Sequence, residues 1–355
     1  MDDTSYDAII VGASFAGLAV ANQLQGRHIL LIDQKYPGTG QTSACGTILQ
    51  VLRYWGLLDS VVQTHDQLIL HTAQDDHPFP SPYTWCTFDY RQVCETLFER
   101  SQAEFLEIAV HGTDGERVYT SEGELRARCI IDASGWRAVL AESLHPGYAK
   151  TAAMNFGIET VVKPPWDIDI DTGSLHFVYD PAILTHGVGW VFPRGDVVSF
   201  GIGSYRGARR LRSPLDQLAT RIGLKRNGLH GTYFPYVLRP ANIGQIFVVG
   251  DAAGMCIGLT GEGIRPALFF GEACGKIVRR FLDGAITLEG GFSEYTAFVN
   301  SRRPFFRLFS FLQRFLTRLP VKWIDNFADL IHNEHLLPWV LNKYWSLTEV
   351  WGMRE

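Results

Sequence analysis

Residues 6 to 33 restrict the fold more than any other stretch of this chain. Tyr6 to Val11 reads as a short buried strand, and it leads directly into Gly12-Ala13-Ser14-Phe15-Ala16-Gly17. Leu18 to Leu24 then has helical character, and His28 to Ile32 is a second strand that stops at Asp33. Strand, small-residue turn, helix and strand within about 30 residues make a βαβ unit of the size that opens nucleotide-binding domains. Such a turn brings backbone N–H groups to a helix N-terminus, where the helix dipole favours a pyrophosphate. Asp33 stands 21 residues after Gly12, where a carboxylate accepts hydrogen bonds from a ribose. Ser14 replaces the middle glycine of the usual motif, a small change in volume.

A second segment has related chemistry more than 200 residues later. Gln245 to Gly250 is an apolar strand, and Val249-Gly250-Asp251-Ala252-Ala253-Gly254 ends it in an acid flanked by small residues. Leu259-Thr260-Gly261-Glu262-Gly263-Ile264-Arg265 then opens a helical stretch from Pro266 to Leu282. Arg128 to Asp132 is another strand with a small-residue turn after it. Between these lie alternating segments, Met154–Val162, Leu175–Tyr179, Gly189–Phe192 and Val197–Gly203, the pattern of an antiparallel sheet. The expected class is therefore α/β with an α+β insert. A nucleotide domain occupies 1–75 and 76–150, a sheet domain for substrate 151–240, a return segment 241–290, and a helical region 291–355.

Composition narrows the function. The chain has 355 residues, 46% apolar and 19% charged, which excludes a disordered chain and a small disulfide scaffold. A net charge of −5 gives no whole-chain reason to expect nucleic acid. Six scattered cysteines contain no CxxC pair, and no histidine pair has metal-ligand spacing, so neither a disulfide framework nor a metal site is expected. No apolar run approaches a membrane span, and Ala8 to Val11 is far too short for a signal-peptide core, so the cytoplasm is the expected compartment.

The charge is uneven. Ser301 to Ile324 contains Arg302, Arg303, Arg307, Arg314, Arg318 and Lys322 and no acid, which leaves −11 on the remainder. On a helix, Arg303, Arg307, Arg314 and Arg318 share an arc of roughly 60°. Phe305, Leu308, Phe309, Leu312, Phe315 and Leu316 are expected on the opposite side. That is the pattern of a helix on an anionic membrane surface, on the inner face of the membrane; the plainer alternative is a domain helix that buries its Phe side.

Together the two glycine-rich motifs resemble the two-part FAD fingerprint of the glutathione-reductase-like flavoproteins. A third segment resembles one branch of them, the geranylgeranyl reductases: His186-Gly187-Val188-Gly189-Trp190-Val191-Phe192-Pro193-Arg194, followed by Phe200-Gly201-Ile202-Gly203. Ala44-Cys45-Gly46 is similar to the Cys-Gly of that family, and the resemblance spans roughly residues 5 to 285. It implies an FAD-binding Rossmann-like domain whose cofactor contacts are Gly12, Ser14, Phe15, Ala16, Gly17, Asp33, Gln34, Gly46, Arg91, Ser134, Gly135, Gly250, Asp251, Gly261, Glu262, Gly263 and Ile264. It implies a substrate face of Val188, Trp190, Phe192 and Pro193, and Cys45 as the group that supplies a proton.

The departures bear on substrate more than on cofactor. Val188 stands where the family has Tyr, Gly258 where a Pro is usual, and Ser134 where the hydroxylases have Asp. Tyr90 stands where the superfamily has a cofactor-contacting Arg, and Arg91 is the expected substitute. The implied activity is reduction of isolated double bonds in an isoprenoid or similar apolar or lipid substrate. The electron donor would be external, NAD(P)H or a ferredoxin-like protein, because the chain has no second dinucleotide fingerprint. An FAD-dependent monooxygenase is the alternative that stays open. A halogenase is disfavoured, since no Lys occurs between Lys35 and Lys150. A flavoprotein that binds lipid or a partner without turnover is the remaining reading.

Overall fold

The structure, a computed structural model, describes residues 6–150, 154–165, 170–207, 210–331, 339 and 344. The chain divides into two compact units. The first comprises 1–41, 90–153 and 234–310, and the second 42–89, 154–233 and 311–355.

The first unit is built on a sheet whose strand order is Asn242–Ile243, Ile246–Val248, Gly123–Asp132, Tyr6–Val11, Ile29–Asp33, Glu104–Glu107. Val110–Thr113 and Arg117–Thr120 extend it as an antiparallel ladder beside Gly123–Asp132. The four pairings from Ile246–Val248 across to Glu104–Glu107 are all parallel. Tyr6–Val11 sits inside this group, so Ala8, Ile9 and Ile10 are fully buried, and this two-sided burial explains why the strand is an unbroken apolar run from Ala8. Register aligns the strand ends. Val11 lies opposite Ile32 and Asp132, and Asp132 lies opposite Val248. The turns after all four strands therefore leave the sheet at one edge, the carboxyl edge, where open α/β sheets hold ligands.

Two helices follow those turns and pack on each other. Phe15–Asn22 follows the first, and Ile264–Leu282 follows the Gly-rich turn of the second segment. Their contact is close because Gly271 rests on the Ala16 carbonyl; a Cβ there would sit 2.6 Å from that oxygen.

The second unit is built on an eight-stranded sheet of order His230–Pro235, Met154–Val162, Val197–Ser204, Gly187–Arg194, Leu175–Tyr179, Val61–Thr72, Asp76–Phe88, Gly46–Ile48. The expected segments from Met154 to Gly203 are present as antiparallel strands. The sheet as a whole is mixed, because Leu175–Tyr179 pairs parallel with Val61–Thr72. That pairing also moves 42–89 out of the nucleotide domain, where the sequence reading had put it. The hairpin was hard to read because Asp76–Phe88 contains Pro78, Pro80 and Pro82, a composition that argues against a paired strand. Helix Arg212–Arg221 covers one face of this sheet, with Leu215 and Leu218 packed among Val178, Val191, Phe200 and Ile202.

Leu288–Leu316 is a single helix that contains Pro304, and Val321–Ile331 is another; most of the expected helical region beyond 331 lies outside the described residues. The apolar side of 301–324 does not stay together. Phe305 and Phe306 are buried, and Phe309, Leu312 and Leu316 are half-buried, as in an ordinary packed helix. Leu308, Phe311 and Phe315 are exposed by 49, 62 and 48%. At about 100° per residue these three border the exposed Arg307, Arg314 and Arg318 instead of opposing them. No helix among the described residues is long and apolar enough to cross a membrane.

Candidate functional site

The first unit brings both glycine-rich motifs to the same sheet edge. Gly12 has φ +114°, and a Cβ on it would sit 2.1 Å from the Ala133 carbonyl oxygen. Only glycine fits between the first strand and the turn after Asp132. Gly250 has φ +66°, and a Cβ on it would meet the Ala16 side chain at 2.6 Å. The turn of the second motif thus closes directly on the helix of the first. Neither Phe15–Asn22 nor Ile264–Leu282 has a side-chain hydrogen bond at its N-cap, Ser14 or Gly263. Neither helix has an acid within its first turn, so each N-terminus presents the positive end of its dipole.

The acids take distinct roles. Asp33 Oδ2 accepts the Ala13 N–H at 2.8 Å, and Oδ1 accepts the Gln34 N–H at 2.7 Å. The carboxylate so braces the glycine turn and keeps lone pairs for a further donor. Asp132 is fully buried and accepts from the Ser134 N–H, the Ser134 hydroxyl and the Ala141 N–H. Burial pushes its carboxyl up, and these three bonds pull against that. Ser134 Oγ in turn accepts the Val139 N–H. The Ser134 hydroxyl is therefore committed to the turn, while Gly135 beside it has φ +76° with open space around it. Asp251 differs: no hydrogen bond reaches its carboxylate among the described residues, it is half-buried, and burial pushes it up to about 6 against the pull of Arg239.

Three residues of this edge, Tyr90, Arg239 and Arg265, lie outside the expected set of contacts. Tyr90 Oη lies 3.3 Å from Ser14 Oγ, and its ring meets Phe15 edge-on at 5.4 Å. Arg91, expected at the cofactor, is 69% exposed and paired with Glu95 at 2.6 Å. The helix that begins at Tyr90 turns residue 90 toward the motif and residue 91 away, since adjacent helical residues are about 100° apart. Arg239 donates to the Ala252 carbonyl at 3.0 Å and braces the second motif from below. Arg265 is wholly buried and grips both oxygens of Glu262 at 2.5 and 2.7 Å. With the Ile257 N–H bonded to the Glu262 carbonyl, that fork sets the turn through Gly261 and Gly263 ahead of Ile264.

The remaining expected residues are in the second unit. Cys45 is buried with φ +55°, a left-handed conformation rare for a side chain with a Cβ. Its thiol donates to the Ser43 carbonyl at 3.3 Å. Gly46, expected at the cofactor, lies against the Phe192 ring, where a Cβ would be 2.9 Å from Cε2. In the regular strand Gly187–Arg194, Val188, Trp190 and Phe192 share one face, and Phe177 meets Phe192 edge-on at 5.5 Å. Pro193 pairs with Val198 on the opposite, helix-covered face, so it is not part of that apolar surface.

The comparisons follow this geometry. A geranylgeranyl bacteriochlorophyll reductase-like protein of Thermoplasma acidophilum superposes with a TM-score of 0.82 at 17% identity, over 94% of this chain and 93% of that one. A flavin-dependent brominase superposes at 0.74 and 14% identity, over 97% and 93%. The fold is that of the FAD-dependent oxidoreductases. In sequence, the geranylgeranyl diphosphate reductase of Rhodobacter capsulatus is 24% identical over 304 residues, 78% of this chain and 76% of the relative. The digeranylgeranylglycerophospholipid reductase of Methanococcus vannielii is 30% identical over 122 residues, 31% of each chain. No family model matches the chain. The chain is thus similar in sequence to proteins named geranylgeranyl reductases, and its fold is one that FAD-dependent oxidoreductases share. The residues present fit FAD: uncapped helix N-termini for the pyrophosphate, Asp33 for the ribose, and the unbonded Asp251 carboxylate for a ribityl hydroxyl.

Proposed function

We propose that this protein is an FAD-dependent reductase that saturates carbon–carbon double bonds of an isoprenoid or similar apolar chain. The observation that carries the reading is the division of labour between units: a glycine-built anion cradle in the first, and an apolar, mostly aromatic face of Val188, Trp190, Phe192 and Phe177 in the second. The relation to geranylgeranyl reductases supports the substrate class. Bound FAD, reduced by an external donor such as NAD(P)H or a ferredoxin-like protein, supplies the hydride. Gly12, Ser14, Phe15, Ala16, Gly17, Asp33, Gln34, Gly250, Asp251 and the Gly261–Ile264 turn hold it, with Tyr90 against the first helix. Cys45 gives up its thiol proton to the second carbon of the double bond and is reprotonated before the next turnover, once the site reopens to water. An isolated alkene has no carbonyl to polarise, so the aromatic face works by orienting the chain and excluding water.

The test is an assay of the protein with its FAD, reduced anaerobically and mixed with a prenyl alcohol such as geranylgeraniol, then repeated in air. A saturated product formed without oxygen is expected. A hydroxylated product that requires oxygen would replace this reading with a monooxygenase.

The same proposal places the protein at the cytoplasmic face of a membrane. Leu308, Phe311 and Phe315 project beside Arg307, Arg314 and Arg318, which suits insertion of apolar side chains among acyl chains while cations meet anionic headgroups. Co-sedimentation with phosphatidylglycerol vesicles that falls when Phe311 and Phe315 become Ser supports it. Co-sedimentation unchanged by that substitution, and by loss of the three arginines, overturns it.

A further inference from the structure

The apolar face of the second unit contains a buried acid that the reaction as described does not use. Glu159, 3% exposed, lies in the strand Met154–Val162. Register places it opposite Gly201, and Gly201 opposite Trp190, so the three form one row across three strands. The row continues through Phe177 to Leu70. Glycine at its centre has a physical consequence. The Trp190 ring lies over residue 201, where a Cβ would be 2.2 Å from Cζ2 and 2.5 Å from Cε2. With that space open, the indole spans the middle strand, and its Nε1 donates to Glu159 Oε2 at 2.7 Å.

The other carboxylate oxygen has a different neighbour. Glu159 Oε1 faces His230 Nε2 at 3.3 Å, and neither atom makes a hydrogen bond among the described residues. A buried carboxylate is costly on an apolar face unless charge or hydrogen bonds compensate it. Here it is held between an imidazole and an indole N–H. The indole N–H donates to one oxygen of this buried carboxyl, so the acid constrains the ring more firmly than packing alone.

We propose that Glu159 is the positioning residue of the apolar face: it pins the Trp190 indole across Gly201 and thereby sets how much of that face a substrate chain can occupy. Released from Glu159, the indole can swing on χ1 and χ2, and the strip over Gly201 opens or closes with it. Glu159 does not touch the reacting atoms; it acts through Trp190. The chain-selective part of this inference rests on the isoprenoid reading above.

The experiment uses the FAD-loaded full chain with nitrogen-15 label in the indole ring. Trp190→Phe identifies the Trp190 N–H resonance. We expect that resonance to be shifted downfield by its carboxylate acceptor, retained in Glu159→Gln, which keeps an oxygen in place, and displaced in Glu159→Leu. Geraniol and geranylgeraniol binding is then measured on the same proteins. The ratio of their dissociation constants should change by about tenfold or more in Glu159→Leu, the order of effect of a reshaped apolar site. It should stay within about twofold of wild type in Glu159→Gln. Adding Glu159→Leu to Trp190→Phe should produce no further change, as expected for two residues that act as one unit. An indole resonance indifferent to Glu159→Leu overturns the proposal, as does a change of ratio that persists undiminished in the Trp190→Phe background. A wild-type protein that binds neither alcohol overturns the isoprenoid reading and the selectivity with it, while the resonance separately decides whether Glu159 positions the ring.

Discussion

Where the proposed ligands would lie, the two units are built of opposite materials. The first uses main chain. Its ligand-holding parts are turns at one sheet edge, fitted by glycines whose missing Cβ atoms let backbone approach backbone. The second uses side chains. Its apolar face is a row of large residues standing on strands, with glycine employed only to let one of them lie flat. A main-chain site tolerates almost no change at its few fixed points, because any added atom meets a carbonyl that cannot move. A side-chain site tolerates many changes and pays for them in selectivity. The units should also respond to pH in opposite directions at one group each, half-buried Asp251 in the first and buried His176 in the second.

The sharpest way to break the comparison is Gly12→Ala. With φ +114° and an oxygen at 2.1 Å, the substitution should destabilise the first unit by about 3–5 kcal/mol and remove FAD from the purified protein. Hydrogen exchange should show protection lost in 6–33 and kept in 154–207; equal loss in both would mean that the units do not fold as distinct entities. Next comes Leu218→Ala, which empties a fully buried position beneath Val191 and Phe200. We expect about 2–4 kcal/mol lost in denaturant unfolding, with the FAD spectrum unchanged.

The pH predictions are smaller. Burial holds Asp251 at about 6 against an ordinary 3.8. Its contribution to the protein without FAD is full below the ordinary value and is lost as pH rises through 6. Because Asp251 is half-buried, the loss should be about 1–2 kcal/mol, and Asp251→Asn should remove it. His176 is buried, and burial lowers it to about 4 from 6.5 while the Asp171 carbonyl pulls the other way. Its contribution is full above 6.5 and is lost as pH falls toward 4, by about 2 kcal/mol; His176→Asn should flatten that acid limb in urea titrations. The smallest expected effect on stability is that of Cys45→Ala, about 1 kcal/mol or less, because the Cβ and the backbone are kept. Its turnover should nevertheless fall, and an unchanged rate of alkene saturation would remove Cys45 from the reaction.

Much of the first unit was legible because its signals are local. The order of strand, glycine turn, helix and acid in 6–33 and the recurrence of that chemistry at 249–265 state their own geometry. Tyr90 and Arg239 were not legible, since nothing in residues 90 or 239 alone says that they reach Ser14 or the Ala252 carbonyl. Arg91 drew attention by its charge, whereas helical phase turned the neighbouring Tyr90 inward. In the second unit the strands from Met154 to Gly203 announced themselves by alternation, but the Pro-rich strand Asp76–Phe88 did not. Pro193 belonged to a recognisable motif and yet falls on the far face, because strand alternation sends each successive side chain to the other side.

The sequence by itself determined that a dinucleotide-type cradle would form, where its turns would lie, and that an antiparallel sheet would be inserted between its halves. These follow from glycines and strand-ending acids whose conformational needs are short-range. Only the tertiary structure decided that Glu159 would meet Trp190 and that residues 42–89 would join the second sheet. It also decided that Leu308, Phe311 and Phe315 would remain outside while Phe305 and Phe306 went in. Those outcomes depend on register between strands far apart in sequence and on which side of a helix finds a neighbour, and neither is encoded in any one segment.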